Sequence, residues 1–249
     1  MLLLTLAIAA FCMTFIGGLL ALKLAARMHW VLGFSAGAVV AVAFFDLLPE
    51  ALELGAGTFG VTRVFACAAG GFLVYLLFDR VMLSHGQRFR NQFTAGQPGA
   101  REAEHGRATL FAGSLSLHSF LDGIAIGLAF QASTAVGAVV AIAVLTHDFS
   151  DGINTMNVVL RNDSNRRRAL RWLLADAIAP GLGIFSTLFF RVQGDALGII
   201  LALFSGFFLY IGASDLIPES HRAFPRALTT LMTLLGIAVL YAAVTLAQV

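Results

Sequence analysis

A histidine and an aspartate four residues apart occur twice in this chain, each time inside a long apolar run. The first run reads HSFLDGIAIGLAF and holds His118 and Asp122; the second reads HDFSDGINTM and holds His147, Asp148 and Asp151. On a helix, residues i and i+4 share a face, so each pair would present an imidazole and a carboxylate side by side. That donor set suits a divalent first-row cation such as Zn²⁺, Fe²⁺ or Mn²⁺. No thiolate or thioether accompanies it, which argues against Cu⁺. Charge points the same way. Asp122, Asp148 and Asp151 are unmatched by any Lys or Arg in either run. Carboxylates in hydrocarbon are costly unless they are protonated or hold a cation. A proton relay without metal and a set of packed, hydrogen-bonded side chains are the competing readings. Two His and three Asp in register fit a metal site better than either.

The elements that must position these residues are membrane spans. The chain has 249 residues, 59% of them hydrophobic and only 12% charged, with a mean hydropathy of +0.86. The charged share is about half that of a soluble domain. No basic cluster interleaved with aromatics points to nucleic acid. A span needs about 20 mostly apolar residues. Eight such stretches are found, at 1–22, 30–49, 59–79, 109–130, 134–158, 169–190, 196–217 and 225–247. The first lacks a positive n-region and is read as a retained span rather than a signal peptide. Cys12 and Cys67 lie in apolar runs and are expected to be buried free thiols. The connections are short except for 80–108, which is polar, carries Pro98 and is expected to be a flexible cytoplasmic loop within a single transmembrane domain, 1–249.

Charge sets the expected orientation. With the N-terminus outside, the inner connections hold Lys23, Arg27, Arg80, Arg88, Arg90, Arg101, Arg107, Arg161, Arg166, Arg167, Arg168, Arg171, Arg222 and Arg226. Only Arg63 and Arg191 of the 16 basic residues remain outside. Both termini are therefore expected outside the cytoplasm, in the plasma (inner) membrane of the cell. Spans four and five would be antiparallel, joined near Ser133, which puts His118 and His147 roughly 20 Å along their helices from the turn and at similar depth. Gly123, Gly127 and Gly152 would let those helices approach closely.

Span two ends in FFDLLPEAL and span seven in SDLIPESH, placing Asp46, Pro49 and Glu50 against Asp215, Pro218 and Glu219. By this topology the two ends open on opposite faces. That echo suggests an inverted repeat relating spans 1–3 to spans 6–8 around spans 4–5. The four acidic residues are candidates for an entrance and an exit, with solvated helix ends as the plain alternative. Asp176 in span six, Ser119 and Asn154 are further candidates for ligand or pathway roles; Asn157 reads as interhelical hydrogen-bond glue. His85 and His105 read as surface residues of the 80–108 segment.

These residues resemble the ZIP family of metal transporters. The resemblance covers nearly the whole chain, through eight spans, both ends outside and a long inner connection between spans three and four. Its most specific part has the form H-[N/S]-x-x-[E/D]-G, matched by His118, Ser119, Asp122 and Gly123, and again by His147, Asp151 and Gly152 with Asp148 at the [N/S] position. The resemblance implies a mid-membrane site with His118, Asp122, His147, Asp148 and Asp151 as ligands, Ser119 as a weak one, and often two metals bridged by carboxylates. It also implies that the cations move inward. The chain departs from the family at three places. Leu121 and Ser150 stand where many members carry Pro, Ala179 stands before Pro180 where many carry Glu, and the paired carboxylates are Asp rather than Glu. Either the second metal position is missing, or Asp176, one turn before Pro180, substitutes for the Glu.

The resulting expectation is an all-α integral membrane protein that carries divalent metal cations, Zn²⁺ foremost and Fe²⁺, Mn²⁺ or Cd²⁺ as rivals, into the cytoplasm. The metal is substrate, no cofactor is expected, and the bilayer and a second copy of the chain are the other expected partners. The chain is not expected to be an enzyme. A membrane-embedded metal hydrolase is the alternative, since the same ligands would also activate water; a gated sensor without flux is the third reading.

Overall fold

The second and seventh spans do not end at their prolines. The structure, a computed structural model, describes residues 1–24, 28–92, 100–162, 165–192, 194–221 and 226–247. Helix α2 (Met28–Val42) passes through a wide π-helical turn, Ala43–Leu47, into α3 (Leu48–Phe59). Proline breaks the i→i−4 ladder and clashes with the preceding turn. Here the ladder widens just before Pro49, and the Leu48 N–H donates to the Ala43 carbonyl, five residues back. The helix thus survives the proline, and it stops only at Gly60, whose φ of 80° is left-handed.

The remaining elements are α1 (Leu2–Leu24), α4 (Val61–Gln92), α5 (Ala100–Ala132), α6 (Thr134–Asn162), α7 (Arg166–Ser186), α8 (Asp195–Tyr210), the single turn α9 (Ile217–Ser220) and α10 (Arg226–Ala247). A second π-helical turn, Ile211–Leu216, joins α8 to α9 in the same way, with the Ile217 N–H donating to the Gly212 carbonyl just before Pro218. Among the described residues there are eight helices long and apolar enough to cross a membrane, and no strand.

Two expectations are corrected. The second span runs from Leu32 to Phe59, so Asp46 and Glu50 lie within a helix rather than at its end. The 80–108 segment is largely helical, because α4 continues to Gln92 and α5 begins at Ala100. Polar composition marked where the apolar run stops, but helix propensity does not stop with hydrophobicity. Arg27, residues 93–99 with Pro98, and Arg222 lie outside the described residues, as do the side chains of Lys23, His85, Arg88, Arg90, Arg101, His105, Arg107, Arg161 and Arg226.

The helices pack as two groups. α1, α5, α6 and α7 form one; α2, α3, α4, α8 and α10 form the other, with α6 against α2 and α4 against α5 at the seam. The interior is built from small residues such as Ala36, Ala38, Ala41, Ala125 and Ala129, while Leu73, Leu77, Leu231 and Leu234 face outward. This suits a solvent as apolar as the core, where close backbone packing rather than burial of bulk holds helices together. It also corrects the thiols: Cys12 is exposed on the bundle's outer face and Cys67 is half-exposed.

Gly123, Gly127 and Gly152 make close approaches, though not between α5 and α6 as the sequence suggested. A Cβ on Gly123 would collide with the Pro180 carbonyl oxygen of α7, and one on Gly152 with the Thr14 carbonyl oxygen of α1. The glycines of the two motifs therefore seat α5 on α7 and α6 on α1.

Candidate metal centre

Continuous helices carry both motifs. α5 and α6 run unbroken through Leu121 and Ser150, so the positions without proline keep a regular i,i+4 face. His118 Nε2 lies 3.2 Å from Asp122 Oδ2 on α5, and His147 Nε2 lies 3.9 Å from Asp151 Oδ2 on α6. The helices then interleave these donors. His147 Nε2 is 3.3 Å from Asp122 Oδ2, and His118 Nε2 is 3.6 Å from Asp151 Oδ2. One donor atom from each residue falls within 4.8 Å of all the others. Four ligands at Zn–N and Zn–O distances of 2.0–2.1 Å around a tetrahedral centre stand about 3.3 Å apart; the two contacts of Asp122 match that spacing, and the two of Asp151 are wider. None of the four residues is more than 6% exposed.

The outer nitrogens of the two imidazoles are held differently. His147 Nδ1 lies 3.0 Å from the Ala143 carbonyl oxygen, which can only accept, so this nitrogen carries the proton. His118 Nδ1 lies 2.7 Å from the hydroxyl of Tyr75 on α4. Both Nε2 atoms thus aim inward at carboxylate oxygens. A lone pair facing a carboxylate is repulsive unless a proton or a cation stands between them, and the site is shaped for one or the other.

Asp148 is brought near this group but does not join it. Both of its carboxylate oxygens are buried without a hydrogen-bond partner, as are Asp151 Oδ2 and Ser150 Oγ. Unpartnered buried carboxylate is expensive, so a proton or a cation is called for on this side of α6. Asp176 on α7 is fully buried and well partnered. It accepts from Ser119 Oγ at 2.9 Å and from Thr155 Oγ1 at 2.7 Å. Ser119 is thereby committed to Asp176 and not to the four-donor group. Asp176 is close enough to Asp148 and Asp151 to interact with their charge.

The other acidic candidates are not part of the four-donor group. Asn154 is half-buried on α6, three residues after Asp151 and seven after His147, and so on the same side of that helix. Asp46 and Glu50 line a cavity of about 350 Å³ with Glu53 and Ser133, at the end of the bundle where α5 turns into α6. One carboxylate oxygen of Asp46 is buried there without a partner. Asp215 is exposed and Glu219 half-buried, beyond the C-terminal end of α8, and Asp215 is close enough to His118 and Asp151 to interact with their charge.

Two residues of the site were missed in the sequence. Thr155 stands four residues after Asp151 and eight after His147, so the helical repeat that found those residues would have found it. Tyr75 left no such signal, because it arrives from a span distant in the chain.

Comparison with known proteins agrees with this chemistry. The family model described as "ZIP Zinc transporter" matches residues 102–243, which include all four donors. Human zinc transporter ZIP4 is 31% identical over 103 residues, covering 41% of this chain and 16% of that protein. The zebrafish (Danio rerio) metal cation symporter ZIP14 is 30% identical over 158 residues, covering 58% and 31%. The fruit-fly (Drosophila melanogaster) zinc transporter foi is 27% identical over 123 residues, covering 48% and 17%. The matched region spans less than a third of the length of each of these relatives.

Proposed function

The chain belongs to the ZIP zinc transporter family, and from that premise we propose that this multi-pass membrane protein carries divalent metal cations, zinc foremost, through the site between α5 and α6. The observation that carries the reading is the convergence of His118, Asp122, His147 and Asp151 from two helices, with one donor atom of each within 4.8 Å of all the others, deep in the bundle. Two imidazoles and two carboxylates give an overall neutral complex with a dication, which removes the cost of charge in hydrocarbon.

Asp148 and Asp176 border the site on its other side and serve as the second cation position or as the next step of the path. Two dications held with three aspartates would leave excess positive charge, so Asp176 is the carboxylate that balances it. The Asp46, Glu50 and Glu53 cavity acts as the acidic vestibule on the outer face, where it concentrates cations by charge. Asp215 and Glu219 receive them at the inner face. The direction is inward, both termini lie outside the cytoplasm in the plasma (inner) membrane, and a homodimer is the assembly in keeping with the reading. Alternating access follows from movement of one helical group against the other around the fixed site.

Uptake of labelled zinc into proteoliposomes tests this reading. Saturable uptake by wild type that is abolished in His118→Ala supports it. Stoichiometric zinc binding by wild type without any uptake would sink transport and favour the hydrolase reading instead.

A further inference from the structure

Tyr75 lies on α4, in the helical group opposite to the one that carries the four donors. Its hydroxyl is 2.7 Å from His118 Nδ1, and the two rings meet edge to face with centroids 5.9 Å apart. Phe78, Phe207 and Tyr210 surround the Tyr75 ring at centroid distances of 6.0, 5.8 and 5.3 Å. The hydroxyl is therefore aimed by ring packing as well as by its own hydrogen bond.

A neutral imidazole carries one N–H. For His118 Nε2 to give its lone pair to a cation beside Asp122 and Asp151, the ring must keep its proton on Nδ1. The group facing Nδ1 is the Tyr75 oxygen, which can accept that N–H. A phenol can also turn and donate to a bare Nδ1, which is the arrangement required when Nε2 holds the proton toward the carboxylates. His147 has no such freedom, because its Nδ1 faces a backbone carbonyl.

We infer that Tyr75 is the positioning residue of the metal site: it accepts from His118 Nδ1–H and so holds the ligating tautomer while a divalent cation is bound. The inference rests on the cation-carrier reading. It makes a ligand on one helical group depend on a hydroxyl of the other, so the site is completed only when the two groups are seated together. Partners of this kind typically command 10–100-fold in metal affinity.

Tyr75→Phe removes the hydroxyl and keeps the ring. Zinc affinity of the purified full chain in detergent, read by chelator competition, is expected to fall about 10–100-fold. In zinc-loaded protein labelled with ¹⁵N-histidine, the His118 ring signals should move in the variant while those of His147 stay in place, which also shows that the fold is intact. Wild type carries an independent check: its zinc-loaded His118 should be protonated at Nδ1 and metal-bound at Nε2, and ligation through Nδ1 would overturn the inference whatever the variant does. Affinity of Y75F within about twofold of wild type, where the outer-partner role calls for at least tenfold, overturns it alone. A wild type that binds no divalent cation overturns both it and the carrier reading.

Discussion

The α5 and α6 motifs share one spacing and live in different surroundings. On α5, Ser119 follows the histidine, and its single hydroxyl proton faces Asp176 at 2.9 Å, with the Leu115 carbonyl a longer alternative acceptor at 3.2 Å. On α6, Asp148 follows the histidine and both its oxygens are buried without a partner. The imidazole of α5 leans on a side chain from another helical group, whereas that of α6 leans on its own backbone. Ahead of the aspartate, Leu121 is apolar and Ser150 is a buried hydroxyl without a partner. The α5 copy is tied into its neighbours, while the α6 copy is self-anchored and holds the surplus negative charge. Each motif thus gives two donors to the four-residue group, and the α6 copy adds a buried carboxylate without a hydrogen-bond partner.

The largest expected effect tests what the copies share. His118→Ala and His147→Ala should each weaken zinc binding by more than about 100-fold, beyond the range of outer partners. Calorimetry that finds either variant within about tenfold of wild type would break the four-donor centre. Acid should act on both copies together, since protons compete with the cation for the same nitrogens and oxygens. Zinc affinity should fall steadily from pH 7 to pH 5, and a flat profile would contradict ligation by these groups.

Next come the motif glycines, which meet backbone on different helices. Gly123→Ala and Gly152→Ala should each destabilise the protein in detergent by about 3 kcal/mol, the upper range of overpacking. A thermal melt of either variant that matches wild type would mean that these helix contacts relax freely. The smallest effects sharpen the contrast by sign. Asp148→Asn should stabilise the metal-free protein by about 1–2 kcal/mol, because it removes a carboxylate that has no partner. Ser119→Ala should destabilise it by about 1 kcal/mol, because Asp176 loses a donor. Melting shifts of the same sign in the two variants would erase the distinction between the motifs.

The eight spans and the convergence of His118, Asp122, His147 and Asp151 were legible in the sequence, because span length and i,i+4 spacing are local properties of a helix. The prolines misled. Pro49 suggested an end to its span, but the π-helical turn before it absorbs the missing N–H and the helix continues to Phe59. Polarity misled over 80–108, where helix extends past the apolar run at both ends.

By itself the sequence determined which residues lie on one face of each helix and why carboxylates in such apolar runs must be neutralised. Tertiary structure decided which helix meets each face. Lipid and protein interior are equally apolar, so hydrophobicity cannot tell an outward Leu77 or Cys12 from an inward Ala125. Glycine announces a close contact without naming its partner, which proved to be α7 for Gly123 and α1 for Gly152. The bonds from Tyr75 to His118 and from Asp176 to Ser119 join segments 43 and 57 residues apart, and no local periodicity encodes a contact of that range.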